Sequence, residues 1–136
     1  MKILSWNCNS IRPKKQDFQD FIQQIDRNTI ALQETRLKSS DRLNLPNYTT
    51  HRTDKTIYTG GGTALMIKSS IPHHATPINT TLIEGTVITI ERRNSTPISI
   101  ISVYKSPRKP MDPIELRNLF QNRWNCLIVG DLNAKL

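Results

Sequence analysis

The sequence predicts a mixed α/β layered fold. Three features carry that prediction: short apolar runs with strand character recur from one end to the other, helical patterns occur once near each end, and the central runs alternate like antiparallel strands.

Taken in order, Lys2–Trp6, which includes Ile3 and Leu4, is a strand candidate running straight into Asn7. After Pro13, Phe18, Phe21, Ile22 and Ile25 fall at i, i+3, i+4 and i+7, one apolar helical stripe, with Lys14, Lys15, Gln16, Asp20, Gln23 and Gln24 elsewhere. Asn28 suits the exit of that helix. Thr29–Gln33 then reads as a second buried strand, delivering Glu34. Composition from Arg36 to Pro46 is loop-like, and Tyr48–Arg52 is a further strand. Gly60, Gly61 and Gly62 break the chain before the strand Thr63–Ile67, and Ile71–Pro72 opens a polar connection. Thr86–Arg92 and Pro97–Tyr104 alternate and pair across a turn at Arg93–Thr96. Lys105–Met111 is proline-rich. Asp112, Pro113 and Glu115 match an N-cap, a first helical residue and a capping-box partner, opening a helix that buries Leu116, Leu119 and Phe120. A core strand, Cys126–Val129, leads through Gly130 to Asp131 and Asn133.

The 136 residues make one domain's worth of chain, with no room for a second. Nineteen Lys and Arg against eleven Asp and Glu give a net charge of +8, which favours polyanionic partners: nucleic acid or phosphate-bearing substrates. The basic residues are also scattered, in Arg12–Lys15, Arg52–Lys55, Arg92–Arg93 and Lys105–Lys109, as an ordinary solvated surface would have them. Cys8 and Cys126 have no metal-ligand spacing and read as reduced core thiols. The N-terminus turns polar after five residues, unlike a signal peptide, and no apolar run approaches the ~20 residues of a membrane span. The expectation is a soluble, intracellular protein with no membrane partner.

Asn7, Glu34, Asp131 and Asn133 all sit at predicted strand ends, which in a layered α/β domain converge on one rim. A carboxylate with amide partners is the oxygen-rich set that Mg²⁺ prefers. Singly, each has a plainer reading: Glu34 as a solvated strand end, Asn7 and Asn133 as turn formers, Tyr104 as a packed strand aromatic. His51, His73 and His74 lack ligand spacing and read as surface residues. Gly60–Gly62 is no phosphate loop, because no G-K-[ST] follows; it permits a turn or close strand approach. Arg36, Arg52, Lys55, Lys105 and Arg108 lie in or beside the loops flanking the rim, as phosphate-backbone contacts would.

The blocks WNCNSIR, LQETRL, GGGTALMI, SIISVYKSP and VGDLNAK, in this order, resemble the endonuclease/exonuclease/phosphatase superfamily. The resemblance is nearest to the apurinic-type endonuclease domain of jockey-like non-LTR retrotransposons, which show a similar RTD segment before the glycines and a His pair after them. It implies a DNase I-like, four-layer, two-sheet α/β sandwich. It also implies that Glu34 and Asn7 hold the metal, Mg²⁺ or Mn²⁺, that Tyr104 contacts the scissile phosphate, and that Asp131 positions or activates the attacking water. Asn133 would help hold phosphate and water. DNA would be the substrate, a reverse transcriptase domain would share the full-length chain, and the full element would need access to the nucleus.

Two departures stand out. Tyr104 is followed by Lys-Ser-Pro-Arg, without the phosphate-touching asparagine of many relatives. The family's later blocks, an orienting aspartate and a final catalytic histidine, have no match here, and no histidine follows His74. The sequence therefore reads as the N-terminal part of a single domain, incomplete at the C-terminus. The strand ending at Val129 would have an unpaired edge, and turnover by these residues alone is doubtful. The alternative is a non-catalytic remnant that at most binds nucleic acid. A phosphatase or phospholipase reading conflicts with the basic charge.

Overall fold

The computed structural model describes residues 1–55, 61–123 and 125–133. Its elements are β1 (Ile3–Asn7), a 3₁₀ turn (Arg12–Lys14), α1 (Lys15–Gln24), β2 (Thr29–Gln33), β3 (Tyr48–Thr53), β4 (Thr63–Lys68), β5 (His73–Thr76), β6 (Glu84–Ile90), β7 (Ile98–Tyr104), α2 (Pro113–Phe120) and β8 (Asn125–Asp131). They form two four-stranded mixed sheets, β1-β2-β4-β3 and β5-β6-β7-β8. In each, one outer pair is parallel, β1 with β2 and β7 with β8, and the other pairings are antiparallel.

Strands covered on both faces read as nearly continuous apolar runs, and β2 and β4 do so because each is sandwiched. Ile30, Leu32, Ala64 and Met66 face outward against Phe18 and Ile22 of α1. Ala31, Leu65 and Ile67 point inward and meet Ile88, Ile90 and Ile100 of the second sheet. On the far side of that sheet, Val87, Ile101 and Val103 pack under Leu119 of α2. The result is four layers, α/β/β/α, the DNase I-like α/β sandwich.

The inter-sheet layer turns polar towards one end. Gln33 Nε2 donates to Ser102 Oγ at 3.0 Å, Ser102 Oγ to the Leu32 carbonyl at 2.8 Å, and Thr63 Oγ1 lies 2.9 Å from Thr86 Oγ1. Glu34, Glu84 and Tyr104 adjoin this end, so their polar groups stand on a buried, hydrogen-bonded floor.

Several local expectations are revised. Phe21 of the predicted stripe is 49% exposed, so only Phe18 and Ile22 of α1 are fully covered. Asn28 does not terminate the helix; it lies beside β1, its side chain accepting from Lys2 N at 2.8 Å. The polar connection after Pro72 contains β5, a four-residue edge strand. Asp112 caps α2 by accepting from Ile114 N at 2.9 Å, but Phe120 is left half-exposed. Glu115 makes no reciprocal capping bond; its carboxylate instead accepts from the backbone N–H groups of Thr81, Leu82 and Ile83 and the Thr81 hydroxyl. Both cysteines are free, and burial pushes the Cys8 thiol up to about 11.

Candidate active site

Parallel pairing of β1 with β2 puts Asn7 level with Gln33, so the two strands leave the sheet together. Backbone bonds continue past their ends: Cys8 N donates to Gln33 O at 3.0 Å, Ser10 N to Glu34 O at 2.8 Å and Ile11 N to Thr35 O at 3.1 Å. Asn9, Ser10, Glu34 and Arg36 hold positive φ values of 43°, 75°, 53° and 53°. Left-handed non-glycine residues cost of order 1–3 kcal/mol each and persist only where the surroundings over-determine them. Here the second constraint comes from the glycines. Gly61 O accepts from Arg36 N at 2.8 Å and Gly62 O from Thr35 N at 3.2 Å. A Cβ on Gly62 would lie 2.5 Å from Thr35 Oγ1, so Gly61 and Gly62 serve the close approach expected of them; Gly60 lies outside the described residues.

The side chains held this way converge. Asn7 Nδ2 donates to Glu34 Oε2 at 2.5 Å, and Arg36 Nη2 lies 3.4 Å from Glu34 Oε1. Lys14 Nζ braces the turn after Asn7 by donating to the carbonyls of Cys8 and Asn9, 2.5 and 3.1 Å away.

The second half of the rim comes from β7 and β8, whose parallel register sets Tyr104 beside Asp131. Lys105 N donates to Asp131 O at 2.9 Å, Asn133 N to Asp131 Oδ1 at 2.8 Å, and Asn133 Nδ2 to Lys105 O at 2.6 Å. Tyr104 joins the halves by lining the same groove as Glu34. Burial, then the carboxylate of Glu34, then those of Glu84 and Asp131, push its phenol above its ordinary value. At neutral pH it is therefore a protonated donor. Asn7, Glu34, Tyr104, Asp131 and Asn133 form one continuous series along the rim.

An open groove at this rim is lined by Glu34, Arg36, Lys55, Glu84, Tyr104 and Arg108. Three of the five predicted phosphate contacts, Arg36, Lys55 and Arg108, lie there. The other two are corrected by their surroundings. Lys105 is 1% exposed, with Nζ donating to the carbonyls of Ser106 and Lys109 at 3.0 and 2.7 Å. Arg52 is committed to Asp54 at 2.7 Å and to the carbonyls of Asp41 and Lys38, both at 2.7 Å. Each ties loops together instead of facing a ligand. His74 is a surface residue 3.3 Å from Glu91, whereas His51 and His73 are partly buried and contact each other across the two sheets, with Nε2 atoms 2.8 Å apart.

Glu84 escaped the reading of the sequence. Its carboxylate accepts from Gly62 N at 2.8 Å and lies 3.6 Å from Lys55 Nζ. The signal was present in the hairpin: pairing β6 and β7 about the Arg93–Thr96 turn places Glu84 opposite Tyr104.

The donor set fits a hard divalent cation. Glu34 offers carboxylate oxygens beside the open groove, while Asn7 turns its Nδ2 to Glu34 and its amide oxygen accepts from Asn9 N at 3.2 Å, one rotation of the amide away from facing a cation.

A model of the endonuclease/exonuclease/phosphatase family matches residues 4–136. A probable RNA-directed DNA polymerase from transposon X-element of Drosophila melanogaster is 27% identical over 138 aligned residues, and the RNA-directed DNA polymerase from mobile element jockey of the same organism is 26% identical. The alignments cover 98% and 99% of this chain and 15% of each relative's length. Among solved structures, the endonuclease domain of TRAS1, a telomere-specific non-LTR retrotransposon, superposes with a TM-score of 0.68 at 16% identity, over 99% of this chain and 60% of that one.

Proposed function

The chain belongs to the endonuclease/exonuclease/phosphatase family, and on that premise we propose that it is the Mg²⁺-dependent DNA endonuclease region of a jockey-like non-LTR retrotransposon. It would nick target DNA by phosphodiester hydrolysis, within a polypeptide that also carries a reverse transcriptase. The observation that supports this best is the continuous series Asn7, Glu34, Tyr104, Asp131 and Asn133 beside a groove edged with basic side chains. The names of the relatives, polymerases of mobile elements and a retrotransposon endonuclease domain, favour DNA over a small phosphate ester.

In this reading Glu34 and Asn7 hold Mg²⁺, with Mn²⁺ as a substitute. When bound, the cation offsets charge gathering on a non-bridging phosphate oxygen. The Tyr104 hydroxyl, keeping its proton, donates a hydrogen bond to the phosphate, and the Asn133 amide adds a second donor. Asp131, oriented by the Asn133 N–H, turns a water towards phosphorus. Arg36, Lys55 and Arg108 contact neighbouring phosphates and set the register of the strand.

One observation favours the second reading, a non-catalytic DNA-binding remnant. None of the three histidines reaches the rim, since His51 and His73 contact each other and His74 faces Glu91. Supercoiled plasmid incubated with the chain and Mg²⁺, beside Asp131→Ala, separates the two. Nicking by the unaltered chain that the substitution abolishes is the expected result. DNA binding without nicking, alongside nicking by a form extended through the family's histidine block, would assign these residues the binding role alone.

A further inference from the structure

The contact between His51 and His73 lies apart from the groove and is built like a ligand pair. His51 projects from β3, an outer strand of the first sheet, and His73 from β5, an outer strand of the second. Their rings meet edge to face, with centroids 5.0 Å apart and an interplanar angle of 84°. His73 Nδ1 is 2.7 Å from the Ile71 carbonyl, which can only accept, so that nitrogen carries the proton and Nε2 keeps its lone pair. Fixing of the distal ring nitrogen by a carbonyl is the arrangement that orients and tautomerically locks metal-binding histidines. Burial and then the neighbouring His73 hold the His51 imidazole below its ordinary value, so it is neutral at pH 7.

We propose that His51 and His73 form a two-imidazole site for a borderline divalent cation of the Zn²⁺ class, clasping the outer strands of the two sheets. Zn–N bonds of about 2.0–2.1 Å at a tetrahedral angle require nitrogens roughly 3.3 Å apart. The observed 2.8 Å needs only a slight opening. In the metal-free pair His51 Nε2 donates to His73 Nε2. On binding, His51 moves its proton to Nδ1, and both Nε2 lone pairs face the cation with no net proton released. Among the described residues no third His, Cys, Asp or Glu completes a cluster, so water fills the remaining positions. Imidazole ligation selects Zn²⁺ over Mg²⁺, which distinguishes this site from an oxygen-ligated centre at the rim.

The test is thermal unfolding and calorimetric titration of the 136-residue chain with Zn²⁺ or with Mg²⁺. Zn²⁺ should bind one per chain and, at tenfold excess over its dissociation constant, raise Tm by about 5 °C. Mg²⁺ should leave Tm unchanged. His51→Ala and His73→Ala should each remove the Zn²⁺ shift, and His74→Ala should retain it. A shift that survives both substitutions, or an equal shift with Mg²⁺, overturns the site. If either variant fails to fold, ¹⁵N-detected imidazole spectra of the unaltered chain decide: Nε2 resonances of both His51 and His73 should move with Zn²⁺, and unmoved resonances overturn the proposal.

Discussion

Tyr104 shows how one side chain joins two halves of a site. Its phenol is held protonated by burial and by the carboxylates of Glu34, Glu84 and Asp131, so its donor role should extend beyond about pH 10, where a free tyrosine ionises. Tyr104→Phe should lower plasmid nicking about 100-fold, the typical loss of one donor to developing charge, with little change in DNA affinity. Nicking rates and filter binding on the same preparations check this, and an unchanged rate would remove Tyr104 from the reaction. Much of this rim was legible in the sequence, because Asn7, Glu34, Asp131 and Asn133 directly end or follow apolar strand runs, although β8 is an edge strand with no fully buried residue and Leu127 41% exposed, not the core strand its composition suggests. Glu84, Lys105 and the His51–His73 contact were less legible for one physical reason. Their surroundings are assembled by residues 20 or more positions away or by carbonyls of a folded loop, and residue type alone does not reveal either.

Glu115 illustrates a local motif overruled by tertiary structure. Asp112, Pro113 and Glu115 start α2 where they should, yet the carboxylate of Glu115 is drawn away from its own helix to three N–H groups of the Thr81–Ile83 segment. Burial alone would raise its pKa, but the Ile83 N–H, the Thr81 hydroxyl and the remaining N–H groups outweigh that and hold the carboxyl below its ordinary value. Glu115→Ala should cost about 2–4 kcal/mol in urea unfolding, because it strands buried donors. The sign with pH follows: the stabilisation is fully present above the unfolded value of about 4.3 and is lost as pH falls through the lower folded value. A Glu115→Gln variant should show a flatter decline of stability over that acid range, and an identical decline would disprove the linkage. Gly130 is a second such position. Its φ is 135° and a Cβ there would sit 2.0 Å from the Val103 carbonyl oxygen, so Gly130→Ala should destabilise by about 3 kcal/mol or more. The helical spacing of α1, the unbroken apolar runs of β2 and β4 and the alternation of β6 and β7 made them readable, whereas β5 has four residues, two of them histidine, and owes its strand to pairing with β6.

The two sheets bring basic side chains from distant segments to one groove, so charge that looks scattered in sequence is partly focused in space. Arg36 follows β2, Lys55 follows β3 and Arg108 follows β7, yet all three line the groove that holds Glu34 and Tyr104. Arg52 and Lys105 contribute equally to the formal charge of +8 but are consumed in tying loops to the sheets. Net charge therefore overstates the cationic surface a polyanion meets, and salt dependence can measure the difference. Each phosphate neutralised by a side chain contributes about −0.9 to the slope of log affinity against log salt. Arg36→Ala and Arg108→Ala should each make that slope shallower by roughly 1 while leaving the urea midpoint unchanged. Arg52→Ala should do the reverse, lowering the midpoint through loss of its bonds to Asp54, Asp41 and Lys38 while leaving the slope of the remaining folded protein intact. Fluorescence anisotropy of labelled duplex DNA between about 50 and 200 mM salt, with urea unfolding of the same variants, reads both quantities. A slope that follows formal charge regardless of which arginine is removed would mean that the groove does not direct binding.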